Sequence, residues 1–183
     1  MLDLDKLAHR AYNPGTECYH QVVRAFAHVE GILLPDSTIN RRALGAVCFA
    51  DAKQMLMLES FVQPAMMEIL AAELTVAWQA KRDNIVAVES AVLLKLTELR
   101  QQMDQVWVVE VPKSTAVQRL MNRNGFTEEE AKLRVDFQET NDARRAIADE
   151  VIVNEDVEAT RALVAELLLK IQRRGSSCPN SKV

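Results

Sequence analysis

The chain has 183 residues, 49% of them apolar and 26% charged, which suits one soluble globular domain with a core of its own. Its 22 basic and 26 acidic side chains leave a formal charge of −4. With only nine aromatics, that balance excludes a general nucleic-acid binder, which needs a basic surface and stacking platforms. No apolar run approaches the ~18 residues of a membrane span, and the acidic start Met1-Leu2-Asp3-Leu4-Asp5 is unlike a signal peptide. Cys18, Cys48 and Cys178 share no metal or redox spacing; an odd, scattered set suits a reducing, cytoplasmic setting.

In chain order, Leu2 to Asp5 reads as a strand end running into a helix over Lys6–Tyr12. Asn13-Pro14-Gly15 is a turn and Thr16 an N-cap, because proline bars continuation and the threonine oxygen takes up free N–H groups. Tyr19, Val22, Val23 and Phe26 share one face of a helix expected from Glu17 to about His28. Residues 31–39 form a loop. Asn40 caps a helix with Leu44, Val47 and Cys48 inward, and Asp51 caps the next, which Pro64 is expected to interrupt before a second run to about Ala80. The methionines at Met55, Met57, Met66 and Met67 read as core filler.

Beyond the polar Lys81-Arg82-Asp83-Asn84 the pattern changes. Ile85–Val88, Val106–Val109 and Val151–Val153 are unbroken β-branched runs of the kind buried on both faces. Helical segments separate them, so a parallel β-α-β-α-β sheet is expected, with the helical block 16–80 as a lobe beside it. Between the last two runs, Ser114–Arg123 is a helix ended by Asn124-Gly125. Thr127 and Glu130 form a capping box for a following helix that carries Arg134 and Gln138 one turn apart. Arg173–Val183 reads as a polar, disordered tail.

Two constellations carry chemistry. Arg119 and Arg123 share a helix face, and Arg134, Arg144 and Arg145 follow in the same hairpin. Such a set can grip phosphates, or it can be a solvated face of Glu–Arg pairs. Asp3 and Asp5 stand where a strand ends; either could receive a hydroxyl proton there, or serve as a helix cap. His9, His20 and His28 have no ligand spacing.

An ordered series of landmarks goes further. Leu2-Asp3-Leu4-Asp5 with His9-Arg10 and Tyr12-x-Pro14-Gly15 comes first. Gly31-Ile32-Leu33, Ile39-Asn40-Arg41-x-x-Leu44-Gly45 and Phe49 follow, then Ala91-Val92-Leu93-Leu94 and Gln105-Val106-Trp107-Val108-Val109. Arg119-Leu120-x-x-Arg123-x-Gly125, Glu129-Glu130-Ala131, Arg134-x-x-x-Gln138 and Ala148-Asp149-x-Val151-Ile152-x-Asn154 complete it. In this series the chain resembles the dephospho-CoA kinase family, most closely the kinase domain of bifunctional CoA synthase.

The resemblance implies a P-loop kinase fold: an α/β parallel sheet, a helical CoA lobe over about 13–82 and a helical lid over about 114–147, within a domain of residues 1–172. It implies ATP-dependent phosphorylation of the ribose 3′-hydroxyl of dephospho-CoA, the last step of CoA synthesis, with Mg²⁺. By position, Asp5 matches the acid that acts on the hydroxyl and Arg123 a lid arginine that neutralises the transferring group. Asp3, His9, Arg41, Leu44 and Phe49 fall in the substrate region; Arg119, Arg134, Gln138 and Asn154 fall on the ATP side. A fused or separate adenylyltransferase half is an expected partner.

Three positions depart from the family pattern. Gln63-Pro64 stands where members often carry His-Pro, and Lys95 where they carry Glu after the Leu-Leu pair. No glycine begins Gly-x-x-x-x-Gly-Lys-[Ser/Thr]: five residues beyond Gly15, Gly31, Gly45, Gly125 and Gly175 stand His20, Asp36, Ala50, Glu130 and Asn180. That loop cradles phosphates with backbone N–H groups and holds the metal with its hydroxyl. The expectation is therefore an N-terminally shortened kinase, without its first strand and P-loop and without detectable activity alone. The alternative is a non-catalytic relative that binds CoA-like ligands or a protein.

Overall fold

The computed structural model describes residues 1–80 and 85–175. They divide into two compact units, Met1–Ser90 and Ala91–Val183. The Lys81–Asn84 approach and all but the first three residues of the expected tail lie outside the described residues; Arg173 belongs to a helix that runs to Gly175.

In the first unit, β1 (Leu2–Asp3) pairs in parallel with β2 (Val88–Glu89), Leu2 opposite Val88 and Asp3 opposite Glu89. The chain passes directly into α1 (Leu4–Ala11), because the Asp3 carboxylate accepts the N–H of Lys6 at 3.0 Å. Leu4, Leu7 and Ala11, spaced three and four apart, are buried. Gly15 supplies the positive φ of +92° that the next turn needs. Thr16 then caps α2 (Glu17–Ala25), its Oγ1 accepting the N–H of Tyr19 at 3.0 Å. This helix ends three residues short of His28, where the chain turns under the wholly buried Phe26.

Asn40 caps α3 (Arg41–Ala50) and Asp51 caps α4 (Ala52–Gln79), each through its side-chain oxygen. Pro64 does not interrupt α4, which is continuous over 28 residues. The lost N–H is outweighed by packing: Val62, Met66 and Leu70 form a buried stripe every four residues, and the helix lies along α1. Arg10 of α1 also meets Glu73 of α4 at 2.7 Å. α4 is, by length and composition, apolar enough to cross a membrane, which corrects the expectation that no segment reaches that length. Leu56, Val76 and Trp78 of this helix are exposed, apart from its buried stripe.

The second unit holds a 3₁₀ turn (Leu93–Lys95), α5 (Thr97–Gln101), β3 (Trp107–Glu110), α6 (Lys113–Asn124), α7 (Glu128–Asp136), α8 (Asn141–Arg145), β4 (Glu150–Val153) and α9 (Val157–Gly175). β3 and β4 are parallel, with Trp107 opposite Glu150 and Glu110 opposite Val153. The Asp149 carboxylate sets this register by accepting the N–H of Val106 at 2.7 Å. Gly125, at φ +68°, closes α6, and both hydrogen bonds of the Thr127–Glu130 capping box start α7.

Two sequence expectations are corrected here. Among the described residues the strands form two separate two-stranded ladders rather than one β-α-β-α-β sheet. Of Ile85–Val88 only Val88 is in a strand, and it pairs with β1. Nor are the apolar runs buried on both faces: Val108 and Ile152 are buried, while Val109, Val151 and Val153 are about half exposed (54%, 40% and 52%).

Candidate active site

At the carboxyl ends of β1 and β2 the first unit gathers its chemistry. Asp3 is engaged by its own helix: it caps α1 and pairs with Lys6 at 2.9 Å, which lowers its pKa. The N-cap reading of Asp3 therefore holds in the structure. Asp5, in the first turn of α1, is exposed. Opposite Asp3 stands Glu89, which the sequence reading missed. Burial, then the nearby Asp5 and Asp3 carboxylates, raise its pKa. The available signal was a lone acid closing the Ile85–Val88 run, at the end of a strand.

His9, one turn beyond Asp5, is half-buried and faces Arg41, the first residue of α3. Arg41 Nη1 lies 3.0 Å from His9 Nδ1. A guanidinium can only donate, so Nδ1 accepts and the proton of the neutral ring sits on Nε2. Burial first, and the Arg41 charge second, keep the imidazole below its ordinary pKa. Tyr12 meets the ring edge-on, with centroids 5.9 Å apart. Leu44 is 3% exposed and so belongs to the core, whereas Phe49 is 54% exposed, beside Gly45. Thus Asp3, Asp5, His9 and Arg41 share one corner, while Leu44 supports α3 from inside.

The second unit carries a cavity of about 600 Å³ beyond the carboxyl ends of β3 and β4. Arg119, Gln138 and Asn154, all expected on the ATP side, line it, together with Lys113 and Arg144. Arg119 Nη2 donates to the Asn154 carbonyl at 2.8 Å, tying α6 to the end of β4. Arg144 Nη2 donates to Gln138 Oε1 at 2.8 Å. Gln138 lies beyond the end of α7, so it does not share a helix face with Arg134 as expected; α7 stops at Asp136. Arg134 stacks over the Phe126 ring at 4.0 Å and donates to the Glu130 carbonyl, away from the cavity wall. Arg123 donates to Asn124 Oδ1 at 2.9 Å and does not line the cavity either.

A further pair joins a residue of the cavity wall to one outside it. Glu110, the last residue of β3, is 6% exposed and accepts two hydrogen bonds from Arg145 of α8, at 2.8 and 2.5 Å. The sequence reading included Arg145 among the hairpin cations and missed Glu110. Its signal was a charged residue following the apolar run of β3. Among the described residues no group of three or more His, Cys, Asp or Glu side chains is placed to hold a metal ion.

The chain matches the family model of dephospho-CoA kinase over residues 1–159. It is 39% identical over 154 residues to the dephospho-CoA kinase of Geobacter sulfurreducens, covering 84% of this chain and 76% of that protein. To the dephospho-CoA kinase of Thermobifida fusca it is 34% identical over 179 residues, covering 95% and 84%. A crystal structure from Thermus thermophilus superposes with a TM-score of 0.71 at 28% identity, over 91% of this chain and 83% of that one. The Campylobacter jejuni dephospho-CoA kinase structure shares the fold, with a TM-score of 0.66 at 20% identity, over 95% and 85%. With the α/β architecture, small parallel ladders and ordered motifs above, these matches settle the assignment. The chain belongs to the dephospho-CoA kinase family, transferases that use ATP to phosphorylate dephospho-CoA and so complete CoA.

Proposed function

We propose that the cavity of the second unit receives ATP and that the β1–α1 corner of the first unit receives the ribose of dephospho-CoA. The observation that carries this is the cavity itself: it lies beyond the carboxyl ends of parallel strands, where α/β folds bind ligands, and presents Lys113, Arg119 and Arg144 to an anion. Asp5 takes the proton of the 3′-hydroxyl. The hydroxyl oxygen bonds to the γ-phosphorus, the bond from that phosphorus to the bridging oxygen breaks, and ADP leaves. His9 and Arg41 hold the acceptor, and Phe49 offers it an apolar surface. Arg119 steadies the nucleotide, Gln138 and Asn154 line its cavity, and Arg123 and Arg134 serve the phosphates from the α6–α7 hairpin. Among the described residues the carboxylates do not make a metal site of their own. Buried, unbridged Cys18 and Cys48 favour a cytoplasmic setting.

The sequence holds no Gly-x-x-x-x-Gly-Lys-[Ser/Thr]. Loss of a single phosphate-stabilising arginine costs about 10³–10⁵ in rate, so this chain alone is expected to be silent in a coupled ADP assay. The same fact favours a second reading, binding without transfer. Isothermal titration with ATP and with dephospho-CoA, followed by a single-turnover assay using γ-labelled ATP and excess protein, separates the two. Arg119→Ala should weaken ATP alone, and Arg41→Ala dephospho-CoA alone. Label reaching CoA supports transfer; binding of both ligands without label supports the second reading. Failure to bind either ligand overturns both.

A further inference from the structure

The Glu110–Arg145 pair has no role in the family landmarks, and it lies in an odd place. A nearly buried carboxylate lines a cavity whose other walls carry Lys113, Arg119 and Arg144. Of the other acids there, Asp136 pairs with Lys113 and Glu139 is exposed. Left alone, Glu110 would repel a nucleotide's phosphates from inside the wall.

Arg145 cancels that charge through a two-pronged grip, and its hydrogen bonds hold the Glu110 pKa low. The grip also fastens α8, a helix of only five residues. Asn141 Nδ2 of α8 donates to the Val111 carbonyl at 3.3 Å, and Thr140 Oγ1 accepts the N–H of Ala143 at 3.2 Å. α8 is thus tied to the end of β3 twice, which sets Arg144 against Gln138 at the cavity.

We propose that Arg145 is a positioning residue for nucleotide binding: it neutralises Glu110 in the cavity wall and fixes α8 so that Arg144 faces the phosphates. This rests on the cavity being the ATP site. Arg145 itself does not line the cavity, so its effect passes through Glu110 and α8. Arg145 is the charged group that bears directly on Glu110; Lys113 and Arg119 of α6, Asp136 of α7, Glu139 and Arg144 line the same cavity, and Asp142 of α8 lies 3.8 Å from Arg145.

The test is calorimetric titration of the full chain with ATP from pH 8 to pH 5, with dephospho-CoA as the control ligand. At pH 8, Arg145→Met should weaken ATP about tenfold and leave dephospho-CoA unchanged. Lowering the pH should restore ATP binding in this variant as Glu110 takes up a proton, and Glu110→Gln/Arg145→Met should bind ATP better than Arg145→Met at pH 8. Arg145→Lys should recover part of the loss. A purely structural pair would lower and recover the melting temperature and dephospho-CoA binding together with ATP binding, so recovery not confined to ATP, or no recovery at all, overturns the proposal. If Arg145→Met fails to fold, the comparison passes to Arg145→Lys against Glu110→Gln/Arg145→Lys, where the same gain must appear. Wild-type protein that does not bind ATP defeats the nucleotide-site reading; normal ATP binding by folded Arg145→Met defeats only this inference.

Discussion

Arg41, at the start of α3, donates to the Nδ1 of His9, near the end of α1, across 3.0 Å. The contact joins residues 32 positions apart and fixes which ring nitrogen carries the proton. It leaves Nε2–H as a donor at the corner that holds Asp5.

The stability of the first unit should depend on His9. Its folded pKa lies below the ordinary 6.5, so as pH falls the unfolded chain takes up the proton first. The contribution is complete above pH 6.5 and is lost as pH falls through the folded value. Thermal melts from pH 8 to pH 5 should show this loss in the wild type and a smaller one in His9→Gln. Arg41→Ala should move the imidazole titration upward, as read by NMR of the ring protons.

Glu89 carries the opposite sign. Its folded pKa is raised above 4.5, so its favourable contribution exists below 4.5 and disappears as pH rises through the folded value. Glu89→Gln should melt higher than wild type at pH 7 and no higher at pH 4. Equal melting temperatures at pH 7 would show that the Asp3, Asp5 and Glu89 charges do not strain this corner.

Where single-turnover label transfer is detected, Asp5→Asn should reduce it by at least about 100-fold, the size of a lost general base. Dephospho-CoA affinity should change by less than about threefold, because asparagine keeps the shape. An unchanged rate removes Asp5 as the proton acceptor.

Thr127→Ala should destabilise the hairpin by about 1 kcal/mol, the usual cost of an N-cap. Its hydroxyl receives the N–H of Glu130, and its own N–H is held by the Glu130 carboxylate at 2.9 Å. Hydrogen exchange at the α7 amides reads the change directly; protection equal to wild type would show that packing alone holds the helix.

Local chemistry was the most legible part of the sequence. Thr16, Asn40, Asp51 and Thr127 all cap the helices their types and positions suggest, because a side chain reaching an N–H two or three residues on needs no distant partner. Pro64 misled for the complementary reason: whether a helix survives a proline depends on what its buried stripe packs against. The corner of Asp3, Asp5, His9 and Arg41 was visible as ordered motifs. Glu89 and Glu110 were not, since each looks like an ordinary acid until strand pairing or an arginine from another helix gives it a neighbour. The same holds for Gln138, whose partner proved to be Arg144 rather than anything on its own turn.

Two half-exposed valines of β4 bear on how the protein behaves in the tube. Val151 and Val153, two residues apart on β4, offer adjoining half-exposed apolar surface on one face of the pleat. Concentrated stocks should therefore scatter light and grow turbid with time, more so as net charge approaches zero near the isoelectric point of about 5.5. Val151→Lys would keep such stocks clear while leaving Ile152, on the opposite face of β4, untouched.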